Sequence, residues 1–137
     1  MIGRGPTCSV VHLTGAVRRI MIVVSDVLSG LLAAMFLFSG YRKLRVGEPL
    51  VAEADHLRIP VPAYRLIGVP EMLGAAGLIA GIWWPVLGMA AAAGLLLLLV
   101  GAIGSHLRVR DTLPRMLPAL VLTIPTVAVL AVRPLSA

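Results

Sequence analysis

The sequence predicts an all-α membrane protein, a bundle of four transmembrane helices with a short amphipathic segment between the first two. Three observations carry that prediction. Hydrophobic residues make up 59% of the 137-residue chain and charged residues only 13%, about half the charged share of a soluble domain. The stretch from Met72 to Leu107 runs for 36 residues without Asp, Glu, Lys or Arg. The twelve basic residues, against six acidic ones, flank apolar runs, and aromatics are few at 4%. That arrangement points to a bilayer and away from nucleic acid. A single cysteine, Cys8, excludes an internal disulfide, a CxxC redox pair and a cysteine metal site.

At the N-terminus, Met1 to Val17 is rich in Gly, Thr, Ser and Val and shows no helical period, so residues 1–19 are expected to form a disordered tail. Arg18-Arg19 ahead of an apolar run resembles the charged start of a signal peptide. The run continues to Phe38 with no A-x-A-like cleavage site, which predicts an uncleaved first span over residues 20–41. Met21 is an alternative start of translation. The long charge-free stretch has to fold back, because one helix of 36 residues would be about 54 Å long against a hydrocarbon core of about 30 Å. Gly81-Ile82-Trp83-Trp84-Pro85 joins a glycine, two interface-seeking indoles and a helix-starting proline, and so marks the turn. Spans over 63–84, 85–105 and 113–132 follow, with 134–137 as a C-terminal tail. Backbone groups in lipid are satisfied internally, which makes these segments helices. Pro118 and Pro125 should bend the last one, with Thr123 and Thr126 serving freed carbonyls.

The one long polar connection is Leu44 to Pro62. Within it, Pro49 to Arg58 places Leu50, Val51, Ala54 and Leu57 on one side of a helix and Glu53, Asp55, His56 and Arg58 on the other. Such a segment would lie on the membrane surface and cap the bundle, the alternative being a solvated loop. Charge sets the orientation. The side holding the termini and the Trp turn carries Arg4, Arg18, Arg19 and Arg133. The loop side carries Arg42, Lys43, Arg45, Arg58, Arg65, Arg108, Arg110 and Arg115, eight against four. The excess places both polar loops in the cytoplasm of a multi-pass cell-membrane protein and both termini outside.

Charged side chains within spans are costly and need a reason. Glu71 is the clearest, because its neighbours at helical spacing include Gly68, Gly74 and Ala75, a face that admits another helix. Glu71 therefore points into the bundle, protonated or paired. The topology brings Lys43, with Ser39 one turn before it and Arg42 beside it, to the same end of the bundle. His106, at the end of the third span, and Asp111 arrive there too. Lys43, Glu71 and His106 are the ligand-binding or proton-handling candidates, with Ser39, Arg42 and Asp111 supporting them. The plainer readings are a Glu–Lys pair that fixes helix register and a histidine that complements a helix dipole. Asp26 reads as a boundary carboxylate, and Arg45, Arg58 and Arg115 as topology determinants. No metal-ligand cluster, phosphate loop or nucleophile elbow is present in the sequence.

Taken in order, FSGYRKL (38–44), GVPEMLGAAGLIAG (68–81) and GAIGSHLRVRD (101–111) resemble the DoxX-like family of small four-helix membrane proteins, over roughly residues 21–132. Lys43, Glu71 and His106 match the family's polar positions. The resemblance implies a membrane subunit of a quinone-linked oxidoreductase or of an oxidative-stress complex, and among more distant relatives an assembly factor. It implies a diffusible quinone and no covalent cofactor, with redox proteins as partners at the cytoplasmic face. Whether the chain is itself an enzyme stays open. The alternatives are a non-catalytic scaffold recognising another protein, or a small proton-coupled transporter that would work as a homo-oligomer.

Overall fold

The computed structural model describes residues 6–45 and 47–136. Five helices follow one another: α1 (Pro6–Leu44), α2 (Glu48–His56), α3 (Val61–Ala80), α4 (Pro85–Arg108) and α5 (Leu113–Ser136). Four of them are long and apolar enough to cross a membrane, and no strand is found among the described residues. α1 packs on α3 and α5, and α4 packs on the same two, so the four spans form a ring with α1 and α4 on its diagonal. Proline in the first turn starts α2, α3 and α4, where its missing N–H costs no hydrogen bond.

The core is built by pairing large residues with small ones. Leu32 and Phe36 of α1, Leu78 of α3, Leu95 and Leu99 of α4 and Val129 of α5 fill the centre. Small residues set the spacing, as expected where packing and not water exclusion drives helix association. A Cβ on Gly74 would stand 2.6 Å from Leu95, and one on Gly77 would stand 2.7 Å from Ala91. α1 and α3 meet most closely at Gly40 and Gly68, where a Cβ on either would lie 2.8 Å from the other's carbonyl oxygen.

Several boundaries differ from the sequence-based expectation. Residues 6–19, expected as a tail, continue α1 without a break. Thr7, Cys8, Ser9, Val10, Val11, His12 and Thr14 are only middling helix formers, but no proline and only one glycine, Gly15, stand between residues 7 and 19, so the helix nucleated in the span propagates upstream to Pro6. Residues 1–5 of the expected tail lie outside the described residues. α3 ends at Ala80 and not at Trp84; Gly81 to Trp83 form a turn and Trp84 is extended, capping α4. α4 continues to Arg108 and α5 to Ser136, so residues 134–136 of the expected C-terminal tail are helical. Leu50 and Ala54 of α2, and Leu57 just after it, are buried against Tyr64 of α3. Val51, placed by the sequence on the same face, is 44% exposed. Thr123 and Thr126 bond the carbonyls of Ala119 and Leu122 at 2.8 and 2.7 Å. The carbonyl that Pro125 deprives of its helical partner is that of Val121, so the hydroxyls serve its neighbours instead.

Candidate functional site

The close contact of α1 with α3 creates the first polar cluster. Because the helices are antiparallel, Lys43 approaches the Gly40–Gly68 crossing from the loop end and Glu71 from the membrane interior. A Cβ at Gly68 would lie 3.1 Å from Lys43 Cβ, and one at Gly40 would lie 3.4 Å from Glu71 Cβ. The two side chains reach across the crossing, and Lys43 Nζ donates to Glu71 Oε1 at 2.7 Å. Nζ also donates to Ser39 Oγ at 3.0 Å, one turn back on α1, and stands 5.7 Å from the centre of the Tyr64 ring. The side chains of Lys43 and Glu71 are 17% and 9% exposed. Glu71 Oε2 is buried and has no hydrogen-bond partner. A charged or hydrogen-bonding ligand would find an acceptor there that the protein itself leaves open.

A second cluster sits at the loop end, and a helix cap builds it. α4 stops in a Schellman motif: Arg110 takes the left-handed conformation at φ 56°, its N–H bonds Leu107 O, and the N–H of Asp111 bonds His106 O. This fold-back sets the Asp111 carboxylate beside His106, with Oδ2 2.7 Å from Nδ1. The other oxygen, Oδ1, lies 2.7 Å from His56 Nε2 on α2. Arg115 Nη1 completes the group, 3.4 Å from Oδ1 and 2.9 Å from His56 Nε2. The Asp111 side chain is 4% exposed. The hydrogen bond from His106, then that from His56, holds its carboxyl below the usual carboxylate range. Arg108 adds a bond from Nη2 to Leu57 O at 2.8 Å. Together these contacts tie α2 to the ends of α4 and α5.

A third cluster lies at the opposite end of the bundle. Arg133 of α5 is 3% exposed. It donates through Nη1 to Gly81 O and through Nη2 to Ser29 Oγ at 3.0 Å, and it stands 3.8 Å from Asp26 Oδ1. Two glycines make the room. A Cβ on Gly88 would fall 2.2 Å from Nη1, and one on Gly81 would fall 2.9 Å from it.

The candidates named from the sequence therefore divide. Ser39, Lys43 and Glu71 come together. His106 and Asp111 come together as well, but with His56, and no hydrogen bond or ion pair joins them to Glu71 among the described residues. Arg42 stays outside both groups, its guanidinium 5.9 Å from the Phe38 ring centre. Sequence reasoning missed His56 and Arg115 as Asp111 partners, Tyr64 beside Lys43, and Arg133 as a buried residue. For Arg133 a signal existed: Gly81 and Gly88, seven residues apart around the Trp turn, leave a space that a long side chain fills.

Comparison with curated proteins and with solved structures finds no match. The profile described as the DoxX-like family matches residues 27–129, from the membrane part of α1 to the last core residue of α5. Its span takes in the Lys43–Glu71 pair and the whole His56–Asp111–His106 cluster, and on that match the chain belongs to the DoxX-like family.

Proposed function

We propose that this protein is a membrane subunit that binds a quinone at the Lys43–Glu71 site and serves a redox or oxidative-stress complex. The observation that carries the reading is the buried, unpartnered Oε2 of Glu71 beside an ammonium group. A bound quinol supplies two electrons and two protons on oxidation. Glu71 Oε2 would accept one of these protons at the head-group, with Lys43 balancing the charge through Oε1, and the other would leave to water at the loop end. Ser39 keeps the ammonium in place, so the carboxylate does not have to recruit it. Pro70, which precedes Glu71 on α3, is among the residues that line an apolar groove of about 470 Å³ between α3 and α4. Leu73, Gly77, Ala91 and Leu98 line it and would take an isoprenoid tail. Electrons would leave through a redox protein docked at the loop end, the side that the basic excess favours for the cytoplasm.

A second reading, a scaffold for partner proteins, draws support from the same loop end, where Arg42, Arg45, Arg58 and Arg110 are all exposed. One experiment addresses both. The protein is purified in mild detergent as wild type, Glu71→Gln and His106→Ala, and bound small molecules and co-purifying proteins are identified by mass spectrometry. A quinone near one per chain in wild type and His106→Ala, lost in Glu71→Gln, is the expected result. Stoichiometric protein partners with no quinone in any form would overturn the redox reading in favour of the scaffold.

A further inference from the structure

The basic residues of the loop end are not used alike. Lys43 is taken up by Glu71, Arg115 by Asp111 and Arg108 by Leu57 O. Arg42, Arg45 and Arg65 are exposed, and among the described residues no carboxylate pairs with any of them. Arg65 donates through Nη2 to Leu44 O at 3.3 Å, the carbonyl that immediately precedes Arg45, and so ties the start of α3 to the end of α1. Arg42 and Arg45 lie on the outward face of α1 with Phe38 and Tyr41, which are exposed as well.

The close crossing fixes their depth. Gly40 lies against Gly68 and the two helices are antiparallel, so Arg42 stands level with Leu66 of α3 and Arg45 with Ala63. The 20 residues of α3 span about 30 Å, the thickness of the hydrocarbon core. With the Trp turn at the far edge, Val61 stands at the near one, and the three arginines join the backbone about 3–8 Å inside it. An arginine at that depth ordinarily stretches towards water. Here the guanidinium of Arg42 stands 5.9 Å from the Phe38 ring centre and that of Arg45 stands 5.6 Å from the Tyr41 ring centre. Each ring is one turn deeper in the span, because helical side chains lean towards the N-terminus, which at this end of α1 is towards the bilayer. Two cations are thus held at the membrane boundary facing outward, with a third beside them on α3. Charge at that level calls for an anion from the lipid side.

We propose that this outward face of the α1–α3 pair is a binding site for an anionic phospholipid of the loop-side leaflet. Arg45 and Arg65 hold the phosphate, and Arg42 supplies a further donor to the charged headgroup. The guanidinium fork matches the oxygens of a phosphate, and a guanidinium over a ring keeps its N–H edges free to donate. Phe38 and Val69, exposed just below, lie against the acyl chains. The lipid bridges α1 and α3 on the outside of the crossing that carries Lys43 and Glu71 on the inside. This inference is independent of what binds at Glu71.

Native mass spectrometry and thermal unfolding of the full chain in mild detergent test it, with phosphatidylglycerol, phosphatidylcholine or inorganic phosphate added. Phosphatidylglycerol should stay bound at one per chain and raise the unfolding midpoint, as a ligand of the folded state does. Phosphatidylcholine and inorganic phosphate should do neither. In the double variant Arg45→Gln with Arg65→Gln, glutamine keeps a donor for Leu44 O while both charges go. Its affinity for phosphatidylglycerol should fall about twenty-fivefold, at about fivefold per arginine. Arg58→Gln with Arg110→Gln takes the same charge from the loop end outside the site and should leave that affinity in place. A wild type that retains no phosphatidylglycerol, or that phosphatidylcholine or phosphate stabilises equally, would overturn the proposal without any variant. Equal loss in the two double variants would reduce the effect to overall charge and overturn it too.

Discussion

The two ends of the bundle solve the same problem with different outcomes. At the loop end Lys43 reaches past Gly68 to Glu71, and at the Trp-turn end Arg133 lies against Gly81 and Gly88 and reaches towards Asp26. Both place a cation where glycine has removed a side chain. The guanidinium presents a rigid fork of donors, and here it is held by a carbonyl, a hydroxyl and a carboxylate from α3 and α1. The ammonium is a point charge with a hydroxyl and one carboxylate oxygen, and the second oxygen of that carboxylate is left over. The contrast shows how similar ion pairs become a brace in one place and a candidate ligand site in another. What separates them is how many groups of other elements the cation gathers: Gly81 O, Ser29 Oγ and the Asp26 carboxylate for Arg133, against Glu71 Oε1 alone for Lys43.

The sharpest way to break this comparison is to remove one member from each end. Arg133→Ala strips α5 of its ties to α1 and α3 and should cost about 3 kcal/mol, as for a buried pair that loses one partner. Glu71→Gln retains a hydrogen-bonding side chain and should cost only about 1–2 kcal/mol. Thermal unfolding in one detergent compares them directly, and Arg133→Ala should leave bound quinone per folded chain unchanged. If Glu71→Gln proves the more damaging of the two, the loop-end pair is the brace and the assignment reverses.

Gly68→Ala sharpens the same contrast at lower cost. The new methyl would stand 2.8 Å from the backbone carbonyl of Gly40, so the helices themselves have to separate, at about 2 kcal/mol. Separation also lengthens the Lys43–Glu71 contact, so ligand occupancy and stability should fall together. Gly30, whose Cβ would meet nothing within 4 Å, serves as the control, and Gly30→Ala should leave occupancy unchanged and should not lower stability.

The loop end also carries a pH dependence. Asp111 has its carboxyl lowered in the folded state, mainly by the His106 hydrogen bond. Its contribution is therefore complete above the unfolded value of about 3.9 and is lost as pH falls through the lower folded value. The wild type should lose thermal stability as pH drops below about 4, and Asp111→Asn should flatten that limb. An unaltered acid limb in the variant would mean that the cap contributes nothing to stability through its charge.

What was legible in the sequence follows from how local each cause is. Hydropathy and the Trp turn delimit the four spans, because length and solvent act on each segment alone. The Lys43–Glu71 pair was also within reach, since the small residues around Glu71 mark a face for another helix and the topology brings Lys43 to it. Two things were not. The His56–Asp111–His106 cluster depends on a left-handed arginine that turns Asp111 back on α4, and arginine is not a residue that announces such a turn. The helix over residues 6–19 escaped notice because Gly, Ser, Thr and Val dilute its composition with residues that favour a helix only weakly.

The smallest effect concerns how the chain turns at each end. The Trp turn needs no left-handed residue, and Gly81 there sits at φ −63°. The loop end uses two, Arg58 at φ 54° and Arg110 at φ 56°, both at the cap position where glycine is usual. The left-handed conformation costs a residue with a Cβ about 1 kcal/mol. Glycine removes that strain but gives back roughly half of it through the greater freedom of the unfolded chain. Arg110→Gly should accordingly raise stability by only about 0.5 kcal/mol, read as a small increase in the unfolding midpoint. The acid limb set by Asp111 should stay in place, because the N–H of Asp111 still bonds His106 O. If Arg110→Gly lowers stability instead, the Arg110 side chain holds the α4 cap by a contact outweighing its backbone strain, and the loop end is braced by charge as the Trp-turn end is.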